Sequence, residues 1–165
     1  MGQNGQETTT YSYDYLNILK RSTSGNRIII YDHDENGNLI NKSSNDGIIN
    51  KEYKYDAENR LTQTREYSSS WKLLSRQDMK YNGKGQRVNK HSYTAAEGTK
   101  DNYYSYEGSS LFYATSQTNA GMDEADIIYF NSIGVAEDQI NEGQWSYYGY
   151  TKDIRSSTRN LINSS

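Results

Sequence analysis

Two residue types are missing from this chain of 165 residues: cysteine and proline. Without cysteine the chain can form no disulfide, no thiolate metal site and no thiol nucleophile. Without proline, its turns must depend on Gly, Asn, Asp and Ser, which reach turn conformations through a missing Cβ atom or a short polar side chain. The two absences therefore direct attention to turn-rich structure and away from thiol chemistry.

Apolar side chains are also scarce. Hydrophobic residues make up 33% of the chain, and the mean hydropathy is -1.06. Such a composition approaches that of a disordered protein. However, the 17 tyrosines supply large rings that favour strands and pack while keeping a polar tip. We therefore expect an ordered, thinly packed β structure whose apolar layer is mostly tyrosine.

The chain is expected neither to span a membrane nor to bind nucleic acid. The chain has no apolar run of about 20 residues, the length that a membrane helix needs. Its first seven residues lack the basic and apolar regions of a signal peptide. The net charge is -3 and basic residues are scattered among acids, so the basic surface of a nucleic-acid-binding protein is not expected.

A short phrase, clearest in Tyr53-Lys54-Tyr55-Asp56, recurs along the chain. The four copies can be aligned on Tyr13, His33, Tyr55 and Tyr81. In each copy the aligned residue is followed by an Asp or Asn, then by a turn with Gly or Asn, and then by an apolar residue. The steps between copies are 20, 22 and 26 residues, and a period of about 20 to 50 residues is typical of a repeat architecture. The predicted structural residues of the repeat are Tyr13, Asp14, His33, Asp34, Gly37, Leu39, Tyr55, Asp56, Leu61, Tyr81, Asn82 and Gly85.

The phrase predicts antiparallel hairpins. Alternate side chains such as Tyr53 and Tyr55 project from one face of a strand. The Asp ends the strand and accepts backbone N–H groups in an Asx-turn, and Gly or Asn adopts the left-handed conformation that closes the turn. Because one hairpin alone is marginal, we expect an all-β fold of repeated hairpins in one continuous twisted sheet. The predicted organisation is a disordered segment over residues 1–10 and a repeat region over residues 11–165, with its longest loop over residues 118–126.

The order Tyr-x-Tyr-Asp-x-x-Gly-Arg-Leu resembles the YD repeats of the RHS (rearrangement hot spot) family, which bacterial wall-associated proteins, polymorphic toxins and teneurins share. The copy over residues 53–62 is the most similar one, with Asn59 where the family has Gly. Near the end of the chain, a second segment looks like the RHS-associated core signature Tyr-x-x-x-Asp-x-x-Gly-Ser-Thr-Arg-x-Leu, with Ser156 in place of the Gly. The residues that carry this second resemblance are Asp153, Ser157, Thr158 and Arg159.

The resemblance implies a partial YD-repeat shell. In that family the repeats form a long sheet that spirals into a hollow shell around a C-terminal toxin or effector. For this chain the resemblance implies a secreted or cell-surface scaffold, without enzymatic activity or a cofactor. Its implied partners are further YD repeats or a C-terminal toxin or effector domain of a parent protein. The self-cleavage segment Asp-Pro-x-Gly of the family is not expected, since the chain has no proline.

A carbohydrate-binding or adhesion module is the alternative. Exposed tyrosine and tryptophan rings can stack on the faces of sugar rings, and the same rings can equally form the packed layer of the sheet itself. A cell-wall or surface glycan would then be the partner. The candidate stacking residues are Tyr104, Tyr106, Trp145 and Tyr147.

Two motifs suggest other chemistry but lack a necessary part. Residues 32–37 match the first half of a calcium-binding EF-hand loop, yet Ser43 stands where that loop needs a Glu. An acidic hairpin turn is the preferred interpretation, and no metal ligand is predicted. A hydrolase would need paired carboxylates or a catalytic histidine, and His33 and His91 belong to no Gly-x-Ser-x-Gly motif.

Overall fold

The computed structural model describes residues 8–118, 123–130, 133–139, 145–152 and 158–163, with side chains described as far as residue 118. Within these ranges the secondary structure is all β-strand, with no helix. The strands are antiparallel and pair in the order in which they follow each other along the chain. The prediction of an all-β fold of successive antiparallel hairpins is confirmed.

The chain divides into two compact units, Met1–Asp78 and Met79–Ser165. The strands of the first unit are β1 (Thr9–Tyr13), β2 (Leu19–Ser24), β3 (Arg27–His33), β4 (Leu39–Ser44), β5 (Asn50–Tyr55) and β6 (Leu61–Tyr67). The division falls within β7 (Leu73–Tyr81). The strands of the second unit are β8 (Arg87–Thr94), β9 (Gly98–Glu107), β10 (Ser110–Thr118), β11 (Asp123–Phe130), β12 (Ile133–Gln139), β13 (Trp145–Lys152) and β14 (Thr158–Asn163).

Two strands extend into segments expected to be irregular. β1 begins at Thr9, two residues before the predicted start of the repeat region, because β-branched threonines favour an extended backbone. Residues 1–7 lie outside the described part of the chain. β11 begins at Asp123, inside the predicted loop over residues 118–126, because Asp126 pairs with Thr115 of β10. Pairing between strands has overridden a loop-like composition there.

The same register shift occurs in the hairpins of the first three repeats. The aligned residue pairs with a leucine six positions later, and the residue after that leucine has no residue directly opposite it, as in a β-bulge. A bulge bends its strand and increases the right-handed twist. The pairs are Tyr13 with Leu19, His33 with Leu39 and Tyr55 with Leu61, and the bulge residues are Lys20, Ile40 and Thr62.

Bulges also explain several exposed apolar side chains. Leu74 of β7 and Phe112 of β10 are bulge residues as well. The exposed fraction of the surface is 39% for Leu74, 51% for Phe112 and 38% for Ile40. A side chain at an unpaired position lacks the direct cross-strand neighbour that would cover it. The exposure of these residues therefore follows from local strand geometry.

The described residues enclose very little core. Among those with described side chains, only Met79 and Ala114 are buried apolar residues, and no large side chain is fully buried. Tyr31, Tyr53 and Tyr55 are half-buried on the sheet. The apolar layer is thus as thin as the composition predicts.

Side chains of β5 alternate between the two faces of the sheet. Tyr53 and Tyr55 share one face of β5, whereas Glu52 and Lys54 share the other. The second face carries a row of directly opposed polar residues across four strands, and the Tyr67 hydroxyl donates a hydrogen bond to Glu52 over 2.9 Å. The row consists of Asn41, Glu52, Arg65 and Arg76.

Candidate functional site

The Asp or Asn of each repeat organises a turn of constant geometry. Its side-chain Oδ1 accepts hydrogen bonds from the backbone N–H groups two and four residues later, at 2.8–3.0 Å. The four residues are Asp14, Asp34, Asp56 and Asn82. Two backbone hydrogen bonds also recur: the C=O of this residue accepts from the N–H three residues later, and its N–H donates to the C=O four residues later. Four different sequences therefore build one turn, which is the Asx-type turn that the repeat predicts.

Each of these turns contains one left-handed residue, three positions after the Asp or Asn. The Cβ atom makes this conformation unfavourable for most residues, and Gly and Asn adopt it most readily. The φ angles are 61° at Asn17, 82° at Gly37, 60° at Asn59 and 78° at Gly85. Asn59, which departs from the Gly of the YD-repeat pattern, therefore keeps the conformation that the pattern requires.

Side chains of some turns contact the neighbouring turn. In the first unit, Asn38 Nδ2 donates to Asp34 Oδ2 over 3.0 Å and to Asn59 Oδ1 over 2.8 Å. In the second unit, Gln86 Nε2 donates to the backbone C=O of Gly108 over 2.8 Å. The Asn38–Asn59 and Gln86–Gly108 contacts join residues 21 and 22 positions apart, which is close to the step between successive repeats. One pair of neighbouring turns is therefore joined directly in each unit.

The turns that precede β5 and β7 use serine; the sequence predicts the first of them, over residues 44–47, but not the second, which begins at Ser68. Ser44 Oγ accepts a hydrogen bond from the N–H of Ile49 over 2.9 Å, and Ser68 Oγ accepts one from the N–H of Lys72 over 3.2 Å. Trp71 takes the left-handed position of the second turn, at a φ of 62°. The recurrence of serine 24 residues apart is the sequence signal that could have revealed this second set of turns.

Asp46 is the most strongly held carboxylate of these turns. The Ser44 hydroxyl and then the Arg27 guanidinium, whose Nε lies 2.7 Å from Asp46 Oδ2, lower its pKa to about 2. The N–H of Ile48 adds a third hydrogen bond over 3.1 Å. All three donors stabilise the ionised carboxylate, so protonation of Asp46 weakens the turn.

The repeat carboxylates also have lowered pKa values. For Asp14 the chief cause is the hydrogen bond from the N–H four residues later, and for Asp34 it is the side-chain amide of Asn38. For Asp56, burial raises the pKa, but the backbone N–H and guanidinium of Arg60 outweigh it. Each carboxylate is thus held in its charged form by the turn that it organises.

We expect acid to destabilise the protein in a defined window. Because the folded-state pKa values lie below the ordinary value of 3.8, their stabilisation is complete above about pH 5 and is lost as the pH falls towards about 2. Urea unfolding measured from pH 7 to pH 2 should show stability falling in that interval. The control is Asp46→Asn, which cannot ionise and should reduce the fall. Stability that stays constant down to pH 2 would contradict the assignment.

A groove in the second unit lies beside the Asn82 turn. Its volume is about 540 Å³. Two of the predicted stacking residues, Tyr104 and Tyr106, line it together. The full lining is Asn82, Gly83, Lys84, Gln86, Val88, Tyr104, Ser105, Tyr106 and Gly108.

Arg87, which the sequence analysis did not single out, holds both tyrosines. Its guanidinium lies 5.1 Å from the ring centroid of Tyr104, within the range of a cation–π interaction. Its backbone C=O accepts a hydrogen bond from the Tyr106 hydroxyl over 3.0 Å. Arg87 occupies the position where the first three repeats have leucine. That substitution is the sequence signal, because a charged residue at an apolar position needs a partner.

The remaining predicted residues lie in or near the last two strands. Trp145 and Tyr147 belong to β13, where Tyr147 pairs with Ala136. Thr158 and Arg159 belong to β14. Their side chains, and the whole of Asp153 and Ser157, lie outside the described residues. The structure therefore brings together Tyr104 and Tyr106, and the positions of the other candidate side chains remain predictions.

Residues 32–37 form the end of a strand and the start of a hairpin turn. Asp34, the central acid of the calcium-like motif, uses Oδ1 to accept two backbone N–H groups and Oδ2 to accept the amide of Asn38. Among the described residues no group of three His, Cys, Asp or Glu side chains could hold a metal ion. The interpretation of this motif as a hairpin turn agrees with these contacts.

One histidine, His91, lies within ion-pair distance of a carboxylate. His91 Nδ1 lies 2.9 Å from Asp101 Oδ2, and the two residues are directly opposite each other on β8 and β9. Asn89 Nδ2 also approaches Asp101, at 3.4 Å. Cross-strand pairs of this kind stabilise a sheet. Neither His91 nor Asp101 lines the groove beside Asn82.

Comparison with models of known families gives no match, and comparison with curated proteins gives none either. Within the part of the chain that the structure describes, no helix is long and apolar enough to cross a membrane.

Proposed function

We propose that this chain is a non-enzymatic β-sheet scaffold, part of a YD-repeat shell that encloses or presents a C-terminal toxin or effector domain in a secreted or wall-associated system. The observation that carries the proposal is the repeated turn, with the same four hydrogen bonds at Asp14, Asp34, Asp56 and Asn82. A constant turn at regular steps is what a structural repeat needs, since each unit must dock on the next.

The resemblance to YD repeats is the reason for proposing a shell as the kind of scaffold. The phrase over residues 53–62 gives the Tyr-x-Tyr-Asp order, and its turn has the left-handed Asn59 at the glycine position. The thin apolar layer supports the same proposal. A single sheet with so little enclosed core is suited to a wall, whereas an active site usually lies in a concave pocket.

The test is the coding sequence on both sides of this segment. We expect further Tyr-x-Tyr-Asp hairpins upstream, and an effector domain with a small neighbouring immunity gene downstream. Flanking sequence that contains neither would contradict the shell and would favour a free-standing module.

A carbohydrate-binding module is the second candidate, and the groove beside the Asn82 turn favours it. Tyr104 and Tyr106 line that groove together with the polar residues Lys84 and Gln86. Aromatic rings beside polar donors are the arrangement that positions an amphipathic ligand such as a sugar.

Under this second function, Tyr104→Ala should abolish glycan binding because it removes a ring from the groove wall. A glycan array probed with the wild type and the variant measures the effect. Tyr103→Ala is the matched control, since Tyr103 is the adjacent tyrosine, is 43% exposed and lies on the opposite face of β9. Equal binding by all three proteins, or no binding by the wild type, would exclude the groove as a glycan site.

A further inference from the structure

Two turns of the repeat contain the dipeptide Asn-Gly, at residues 36–37 and 82–83. An asparagine that precedes glycine readily loses its side-chain amide, because glycine has no Cβ atom to obstruct attack by its backbone nitrogen. We propose that Asn36 is a site of spontaneous deamidation in the folded protein, whereas the turn geometry protects Asn82. This chemistry is independent of the proposed function, since it needs only the turn and water.

The reaction at Asn36 is intramolecular and consumes only water. The backbone nitrogen of Gly37 attacks the side-chain Cγ of Asn36, and the new N–C bond closes a cyclic imide. The proton of that nitrogen and the side-chain NH2 group leave together as ammonia. Water then opens the imide at one of its two carbonyl carbons. One opening gives aspartate, and the other gives isoaspartate, in which the main chain runs through the former side chain.

The side chain of Asn36 is free to take part in this reaction. Asn36 is exposed, and its carboxamide makes no hydrogen bond to any described residue. Its backbone N–H donates to Asp34 Oδ1 over 3.0 Å, which fixes the main chain and leaves the carboxamide able to rotate. The Gly37 N–H donates to the Asp34 C=O over 3.1 Å. That single hydrogen bond must open before the nitrogen can attack, and hydrogen bonds of exposed turns open at a low cost in free energy.

The side chain of Asn82 is held at both ends. Asn82 is the residue that organises its turn, whereas Asn36 lies two positions after the organising residue. Its Oδ1 accepts hydrogen bonds from the N–H groups of Lys84 and Gln86, each over 3.0 Å, and its Nδ2 donates to Gln86 Oε1 over 2.8 Å. Rotation of the Asn82 carboxamide towards the Gly83 nitrogen would break all three. The attack at Asn82 therefore costs the free energy of three hydrogen bonds in place of one.

Isoaspartate at position 36 would disrupt the turn of the second repeat. Asp34 Oδ1 accepts hydrogen bonds from the N–H groups of Asn36 and Asn38, over 3.0 and 2.8 Å. Isoaspartate adds a main-chain carbon between those two N–H groups, so the carboxylate can no longer accept both in the same geometry. Asn38 Nδ2 also donates to Asn59 Oδ1 of the next repeat over 2.8 Å. Deamidation of Asn36 should therefore weaken this contact between repeats as well as the turn.

Peptide mapping by mass spectrometry, on the full chain stored at mildly alkaline pH, measures deamidation at each site. Each rate is divided by the rate at the same site in urea, where the chain is unfolded, so that the effects of neighbouring residues cancel. Folding should slow Asn82 at least about tenfold more than it slows Asn36, because two more hydrogen bonds must break. The third Asn-Gly pair, Asn4-Gly5, lies outside the described residues and is measured on a different peptide.

One variant tests the cause of the protection. Gln86→Ala removes the side-chain acceptor of Asn82 Nδ2 and keeps the backbone N–H of residue 86. It should accelerate deamidation of Asn82 in the folded protein and leave the rate at Asn36 unchanged. Circular dichroism shows whether the sheet of this variant remains folded.

A second variant separates the new charge from the altered main chain. Asn36→Asp has the charge of the deamidated protein with a normal main chain. Stored protein that is enriched in isoaspartate at position 36 should unfold at a lower urea concentration than Asn36→Asp.

Equal slowing of the two sites by folding would overturn the proposal, and so would faster reaction at Asn82. An Asn36 that stays intact for as long as the unfolded chain needs to react completely would also overturn it. If Gln86→Ala folds and leaves the rate at Asn82 unchanged, the hydrogen bonds of the carboxamide are not the cause of the protection.

Discussion

Replacing Tyr55 by Ala should lower the free energy of unfolding by about 2 kcal/mol. The Tyr55 side chain is half-buried and lies directly opposite Leu61 in the hairpin of the third repeat. Burial also raises the pKa of its hydroxyl. A fully buried aromatic ring would lose about 3–5 kcal/mol on truncation. The smaller value follows from the thin apolar layer of this sheet, and chemical denaturation measures it.

Tyr15→Ala is the matched control, because Tyr15 is 93% exposed in the turn of the first repeat. Its loss should stay within about 0.5 kcal/mol. A double-mutant cycle with Leu61→Ala should give a coupling of about 0.5–1 kcal/mol between the opposed residues. If Tyr55→Ala costs no more than the control, the ring does not stabilise the sheet and a surface role would be favoured.

The turns of the repeat could be predicted from the sequence because their structure is local. Asp34 and the residues that its carboxylate binds lie within five positions of each other. A short side chain that accepts nearby N–H groups determines such a turn without help from distant residues. The all-β fold followed for the same reason, since alternation within strands is also a local property.

The features that sequence analysis missed depend on partners far away in the chain. Arg87 is partnered by Tyr104, 17 positions later, and nothing near Arg87 identifies that ring. The bulge at Ile40 likewise arises from the register between β3 and β4. The candidate groove was only partly foreseen. Tyr104 and Tyr106 were named for their aromatic character, whereas the Asn82 turn beside them was predicted for a structural role alone.

Two glycines of one turn should respond in opposite ways to the same substitution. Gly85 has a φ of 78° with no heavy atom within 4 Å of an added Cβ, so Gly85→Ala meets no steric clash and its cost comes from the backbone conformation. The left-handed conformation should cost alanine about 1–2 kcal/mol. Gly83 has the same open space without a left-handed φ. Gly83→Ala should therefore be neutral, or stabilising by up to about 1 kcal/mol through loss of freedom in the unfolded chain.

A third variant identifies the repeat as the cause of this difference. Gly85→Asn should cost less than Gly85→Ala, because Asn17 and Asn59 hold the same left-handed position in the first and third repeats. The expected order of stability is then Gly83→Ala, Gly85→Asn and Gly85→Ala, from highest to lowest, in urea unfolding at neutral pH. Equal losses at the two glycines would show that the fourth repeat does not use the turn of the other three. With the predicted order, one backbone conformation would be established as the element that the repeat preserves while its residues change.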